Sequence, residues 1–294
     1  MEIGSGTQGY QTGGIIVRLE RVLLRERPDL VVVYGDTNST IAGALATAKL
    51  HIRIAHIEAG VRSFNRFMPE ELNRIVTDQL ADLHFCPSRT AVRNLAAEGI
   101  KEGVYFVGDV MYDSILFNIK KTVHSNIMRR LKIQPKKYGI ATVHRAENTD
   151  NEKRMVSIFE TLDKIAGTVL PLLIPVHPRT RKRILDLGMK LSNMRLIDPI
   201  SYWDMIKLEK NARVIFTDSG GMQKEAYYLK VPCVTLREDT EWVETVKAGW
   251  NRLAGWKEKG IYQALKIIKN RRPHPPQVYG NGLAAEKILS YILK

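Results

Sequence analysis

The sequence predicts an α/β protein built as two doubly wound parallel-sheet domains, and three observations lead there. Short β-branched runs alternate with amphipathic segments along almost the whole chain, the pattern of strands joined by crossover helices. The length, 294 residues, exceeds one ordinary domain and suits two. Hydrophobic residues make up 44% and charged residues 26%, with no biased repeat, so two cores have enough apolar material.

In chain order, strands are expected at 30–35, 53–57, 83–86, 104–107, 138–143, 172–176, 194–197, 214–217 and 231–236. Between them, apolar residues recur at three and four in 15–25, 41–50, 153–166, 202–210 and 221–229, the spacing of helices with one buried face. A basic stretch, 122–137, contains Pro135 and separates a helix from a new strand. It places the first domain at 1–125 and the second at 126–275. The segment Arg271-Arg272-Pro273-His274-Pro275-Pro276 breaks regular structure, and a last helix over 282–293 then crosses back to the first domain, giving a third piece at 276–294.

Composition excludes several classes. The longest apolar runs, such as Leu30-Val31-Val32-Val33-Tyr34, fall far short of the ~20 residues of a membrane span. Met1-Glu2-Ile3-Gly4 lacks the basic start and apolar stretch of a signal peptide. Cys86 and Cys233 each sit in an apolar run and read as buried, reduced thiols, which implies a cytoplasmic location. The net charge of +14 is spread through helical stretches with no aromatic–basic array. It suits solubility or attraction of a nucleotide diphosphate rather than nucleic acid. The seven histidines form no HExxH or Cys–His cluster, and no GxSxG elbow occurs, so neither a metal nor a serine nucleophile is expected.

Open parallel sheets bind ligands beyond the carboxyl ends of their strands, so post-strand loops carry the chemistry. Five stand out. Tyr34-Gly35-Asp36-Thr37-Asn38-Ser39-Thr40 follows a strand; Asp36 or Asn38 could cap the next helix, but five polar residues exceed what capping needs. His56-Ile57-Glu58-Ala59-Gly60 ends another strand, with Glu58 either exposed or paired with Arg62. Pro69-Glu70-Glu71-Leu72-Asn73-Arg74 reads locally as a helix start, where acids complement the dipole. In Thr142-Val143-His144-Arg145-Ala146-Glu147-Asn148, His144 and Arg145 can meet phosphate oxygens, or His144 is a satisfied loop histidine.

Thr217-Asp218-Ser219-Gly220-Gly221-Met222-Gln223-Lys224-Glu225 is the sharpest. A strand ends, the glycines let the backbone approach a phosphate, and a helix N-terminus supplies free N–H groups. Glu225, about one turn further on, can accept ribose hydroxyls. It is neither a Walker loop nor a GxGxxG fingerprint.

These five motifs, in this order, closely resemble the non-hydrolysing UDP-N-acetylglucosamine 2-epimerases, from about Gly35 to Tyr279-Gly280-Asn281-Gly282 and the last helix. The resemblance implies a glycosyltransferase-B-like fold: two Rossmann-like domains with a cleft between them. It implies reversible C2 epimerisation of UDP-N-acetylglucosamine to UDP-N-acetylmannosamine, by elimination of UDP to a 2-acetamidoglucal and re-addition, with no added cofactor. Matched position by position, Asp36, Glu58, Glu70 and His144 take catalytic roles. Arg145, His177, Ser219, Gly220, Gly221, Glu225 and Arg237 take the UDP, with no metal. Relatives suggest a homodimer, and in some a second UDP-sugar binds as an allosteric activator near the segment matching Gln11.

Two departures accompany the likeness. Trp242, in Glu238-Asp239-Thr240-Glu241-Trp242-Val243-Glu244, stands where many relatives carry Arg. Relatives also begin with a strand and a Gly-Thr-Arg-Pro-Glu loop; nothing like it precedes Ser5-Gly6-Thr7-Gln8-Gly9-Tyr10-Gln11-Thr12-Gly13. At ~30 residues per strand–helix–strand unit, roughly two units are expected to be absent from the N-terminus. The competing expectations are an epimerase for a related UDP-diacetamido-uronic acid, a glycosyltransferase on the same scaffold, and a non-catalytic truncated UDP-binding fragment.

Overall fold

A computed structural model describes residues 3–4, 6–268 and 274–293. Met1, Glu2, Ser5 and the expected break at Arg271-Arg272-Pro273 lie outside the described residues. The chain divides into two compact units, Met1–Asp113 with Gln277–Lys294, and Ser114–Pro276. The first division thus falls earlier than residue 125, because the stretch from Ser114 on packs with the second unit: Ile115 and Ile127 lie in the same apolar cluster as Tyr138 and Ile140.

Unit 1 begins with α1 (Gln8–Glu26), β1 (Leu30–Tyr34), α2 (Asn38–Lys49), β2 (Arg53–Ile57) and α3 (Pro69–Leu80). It continues through β3 (Leu83–Cys86), α4 (Arg89–Ala97), β4 (Val104–Phe106) and the start of α5 (Val110–Ile119). Its strands are parallel in the order β1-β2-β3-β4. The two-residue alternation of strands separates the faces. Ala55, Ile57, Leu83 and Phe85 meet Ile288 of a C-terminal helix, whereas His56 and His84 point to the other side. Tyr291 of that helix stacks on Tyr105 of β4, ring centroids 4.0 Å apart. The return of the chain is tight: Gly108 and Gly280 both have positive φ, and a Cβ on either would meet the other's segment at 2.9 Å. Val32 and Tyr34 of β1 remain exposed.

Unit 2 contains a 3₁₀ turn, Lys121–His124, then α6 (Ile127–Arg130), β5 (Gly139–Thr142), α7 (Ala146–Thr149), α8 (Glu152–Thr168) and β6 (Leu172–Pro175). There follow α9 (Pro178–Asp186), β7 (Arg195–Ile197), α10 (Tyr202–Asn211), β8 (Ile215–Thr217) and α11 (Gly220–Tyr228). It closes with β9 (Cys233–Thr235), α12 (Val243–Lys247), β10 (Asn251–Leu253) and α13 (Glu258–Ile268); the helix returning to unit 1 is α14 (Ala284–Ile292). The order β10-β9-β8-β5-β6-β7, all parallel, reverses direction between β5 and β8, which is the doubly wound arrangement. Ile140 and Ile215 face a cluster with Ile206 and Ala226, while Ala141 and Phe216 face one with Phe159 and Leu265. Helices therefore cover both sides of this Rossmann-like sheet.

Every expected strand is present, shorter by a residue or more at seven of the nine; β10 is an addition whose three residues carry no run long enough to recognise. Helix α1 starts at Gln8 rather than near residue 15, because the Thr7 hydroxyl accepts from the Tyr10 N–H and caps it.

Candidate active site

In unit 1 the polar loops after β1 and β2 lie side by side. The β1 loop is closed by Thr37, which caps α2 and forms a capping box with Thr40. Neither Asp36 nor Asn38 is the cap, which frees Asp36 for another role; the Asn38 amide donates to Gln11 Oε1 at 3.0 Å. One Asp36 carboxylate oxygen lies 2.5 Å from the Arg74 guanidinium, and the Asn73 amide donates to the Asp36 carbonyl at 2.8 Å. Glu58 adopts φ +76°, a left-handed conformation that ordinary side chains avoid and that concentrates at functional sites. Its carboxylate reaches the Gly35 backbone: a Cβ on Gly35 would lie 3.6 Å from Glu58 Oε1.

Glu70 and Glu71 both occupy the first turn of α3, as the helix-start reading expects, but their surroundings differ. Glu71 is buried and accepts from the N–H groups of Ser63 and Phe64, the Ser63 hydroxyl and Arg74, so it shapes the preceding loop. Glu70 is half-buried and stands one turn before Arg74 on the same helical face. Asp36 thus pairs with Arg74 and Glu58 lies beside Gly35, while Glu70 opens the helix that carries Arg74. Arg62 is taken up not by Glu58 but by Asp78 and Glu98, each at 2.7 Å.

Below these loops is a second polar layer. The buried face of α3 consists of Glu71, Asn73, Arg74, Thr77 and Asp78, inverting the usual amphipathic pattern. Asp78 accepts from His56 Nδ1 at 2.7 Å and from the Gly60 N–H at 3.0 Å, besides Arg62. Burial acts against its charge, but the hydrogen bonds and charges of His56 and Arg62 outweigh it and hold the carboxyl below its ordinary value. Gly60, at φ +75°, is required there, since a Cβ would stand 2.4 Å from the Ala91 carbonyl oxygen. Of this layer, the motifs quoted His56 and Arg74 without giving them a role and passed over Asp78. The signal that finds them is the charged spacing 71, 74, 78, helical repeats where apolar residues belong.

In unit 2 the two loops flanking the reversal of strand order, after β5 and after β8, meet through Asp218. This fully buried carboxylate accepts from the N–H groups of His144 and Arg145 at 3.1 Å and from the Asn148 amide at 3.1 Å. His144 Nδ1 lies 3.4 Å away, and the rest of the ring is exposed. Asp218 is thus the residue that sets the His144–Arg145 loop. The Ser219 hydroxyl caps α11 by accepting from the Met222 N–H at 3.3 Å. Ser219, Gly220 and Gly221 present a partly exposed helix N-terminus, with its unpaired N–H groups and positive dipole end, suited to an anion. Gly220 is required by its neighbour: a Cβ would stand 2.3 Å from Glu241 Oε1.

Glu225, half-buried on α11, accepts from the Tyr202 hydroxyl at 3.0 Å. Burial raises its carboxyl above the ordinary value against the opposing bond to Tyr202 and the charge of Lys224. His177 is exposed after β6, and its Nδ1 accepts from the Arg179 N–H at 3.3 Å, capping α9. Arg237 is buried, with its guanidinium paired with Glu241 at 2.9 Å and Asp239 at 3.1 Å. Trp242 is buried too, with the Lys224 ammonium 3.9 Å from the ring centroid, so it contributes a cation–π contact.

Both cysteines are free and buried; burial pushes the Cys233 thiol up to about 12 and Cys86 also well above its ordinary value. Among the described residues no helix is long and apolar enough to cross a membrane, and no group of three or more His, Cys, Asp or Glu could hold a metal ion.

The family model described as UDP-N-acetylglucosamine 2-epimerase matches residues 1–293. A Methanococcus maripaludis protein named UDP-N-acetylglucosamine 2-epimerase homolog is 49% identical over 299 residues, covering 99% of this chain and 83% of that protein. A Pseudomonas aeruginosa protein named UDP-2,3-diacetamido-2,3-dideoxy-D-glucuronate 2-epimerase is 46% identical over 298 residues, covering 100% and 83%. The crystal structure of Methanocaldococcus jannaschii UDP-GlcNAc 2-epimerase, in complex with UDP-GlcNAc and UDP, superposes with a TM-score of 0.92 at 40% identity, covering 99% of this chain and 83% of that one. Fold, ordered motifs and sequence agree, and the chain belongs to the UDP-N-acetylglucosamine 2-epimerase family.

Proposed function

We propose that this protein catalyses the reversible C2 epimerisation of UDP-N-acetylglucosamine to UDP-N-acetylmannosamine by eliminating and re-adding UDP. The observation that supports this reading is the pairing of Asp36 with Arg74 and the placing of Glu58 beside Gly35 in the loops after β1 and β2, with Glu70 in the first turn of α3. Inversion at C2 needs a base on one face and an acid on the other, which a set of carboxylates supplies. Departure of UDP needs stabilisation of diphosphate charge, which the α11 N-terminus with His144 and Arg145 supplies. In this assignment Asp36, Glu58, Glu70 and His144 are catalytic. Arg145, His177, Ser219, Gly220, Gly221, Glu225 and Arg237 hold UDP, Arg237 being oriented by Glu241 and Asp239. Incubation with UDP-N-acetylglucosamine in heavy water tests the reading: deuterium at C2 and a manno product are expected, and absence of both overturns it.

A second sugar is favoured by the 46% identical relative named for a diacetamido-glucuronate. Supplying both nucleotide sugars in parallel decides between them by the ratio of kcat/KM. We further propose a cytoplasmic homodimer that takes a second UDP-sugar as activator near Gln11, which α1 holds against Asn38. Sedimentation gives the dimer, and a sigmoidal rate that turns hyperbolic in Gln11→Ala gives the activator.

A further inference from the structure

His56 has no assigned role, yet it is fully buried and links two catalytic loops. Its Nδ1 meets Asp78 Oδ1 at 2.7 Å and its Nε2 meets the Gly35 carbonyl oxygen at 2.8 Å. A carbonyl oxygen only accepts, so Nε2 carries a proton. Asp78 is the ionised partner of Arg62 and also only accepts, so Nδ1 carries one too. The ring satisfies both contacts only as an imidazolium. The charges then balance, buried His56 and Arg62 against buried Asp78 and the more exposed Glu98 at the edge.

We propose that His56 is a positioning residue: a buried imidazolium that ties the Gly35–Asp36 turn to the Glu58–Gly60 turn through Asp78, fixing the two catalytic carboxylates relative to each other. The geometry supports it from both ends. Gly35 also donates its N–H to the Ile57 carbonyl at 3.0 Å, and Asp78 also receives the Gly60 N–H. The turns carrying Asp36 and Glu58 are therefore sewn together on either side of the ring. The titratable and charged groups around it are Asp78 on α3, Arg62 in the following loop, Glu98 after α4, and His84 and Cys86 on β3. Of these, His84 Nε2 donates to the Asp78 carbonyl at 2.7 Å, and the Cys86 thiol is held neutral by burial and the Asp78 charge. The role rests on Asp36 and Glu58 acting on the sugar.

Two variants separate positioning from stability. His56→Gln places an amide N–H near the Nε2 position and keeps the Gly35 bond; His56→Asn places one near Nδ1 and keeps the Asp78 bond. The expected result is a reversal. His56→Asn melts higher than His56→Gln, but its kcat falls further, about 10- to 100-fold below the parent, because a misplaced catalytic group costs that much. UDP affinity, read by calorimetry, stays unchanged in both. A kcat that follows melting temperature across parent, Asn and Gln variants overturns the proposal. Nitrogen-15 spectra of the parent chain read the ring without any variant and without turnover. Two protonated-type ring nitrogens for His56 at pH 7 are expected, and one pyridine-type nitrogen overturns the imidazolium. Loss of deuterium incorporation by the parent would instead defeat the epimerase reading while leaving the spectra to decide the ring.

Discussion

The two units present their functional loops on similar parallel sheets but hold them by different physics. In unit 1 the loops rest on full charges: Arg74 joins Asp36 and Glu71, and Asp78 joins His56 and Arg62 beneath them. In unit 2 they rest on backbone dipoles, with Asp218 gathering the N–H groups of the His144–Arg145 loop and Ser219 capping an open helix N-terminus. The difference fits the chemistry proposed for each. Carboxylates that exchange a proton need fixed counter-charges close by to keep their positions and charge. A diphosphate needs only donors that are already oriented, and a helix end provides them without reorganisation.

Removing one of the proposed catalytic carboxylates gives the largest expected effect and tests the unit 1 side. Glu58→Gln lowers kcat by about 10²- to 10⁴-fold, with UDP affinity intact, measured by initial rates and calorimetry. Equal losses of kcat and UDP affinity would break the division of labour. On the unit 2 side, Asp218→Ala leaves the His144 and Arg145 N–H groups without their acceptor. UDP binding should weaken by about 1–3 kcal/mol, while the unit 1 network keeps its hydrogen-exchange protection. Gly220→Ala forces a methyl against Glu241, which Arg237 holds in place, and should cost about 1–3 kcal/mol of stability along with UDP affinity.

Two pH effects sharpen the comparison further. Asp78 has a folded-state carboxyl below its ordinary 3.8, so the unfolded chain takes up the proton first. Its stabilisation is full above that value and is lost as pH falls through the folded one. Asp78→Asn should flatten the acid limb of a melting-temperature profile. Glu209 behaves oppositely. It is fully buried on α10, its carboxyl oxygens find no hydrogen-bond partner among the described residues, and burial, then the Glu225 charge, raise it well above its ordinary 4.5. The native state keeps a proton that the unfolded chain releases, so stability declines as pH rises from 4.5 upward. Glu209→Gln carries no proton to lose; its melting temperature should fall less steeply between pH 5 and 8 than the parent's, a slope of about zero from this site.

The sequence by itself determined the class of fold, the order of nearly all strands and the loops that carry chemistry. Alternation of β-branched runs with three-and-four spacing specifies parallel strands and covering helices, and such strands put polar residues at their carboxyl ends. It also singled out Gly220, Ser219 and Asp36, because glycines and polar runs in post-strand positions are chemically conspicuous, whereas Glu58 and Glu70 stood out through the family resemblance. Only the tertiary structure decided which of those groups are supports. Glu70 and Glu71 are adjacent and alike in sequence, yet Glu70 is half-buried while Glu71 is fully buried and taken up by Ser63, Phe64 and Arg74. The pairing of Arg237 with Glu241 and Asp239 is likewise visible only in the fold. His56, Asp78 and Asp218 lie in strand, helix and loop far apart in the chain from the groups they hold. Local spacing does not encode those pairings, since hydrogen bonds across 18 to 74 residues exist only once the sheets bring the strand ends together.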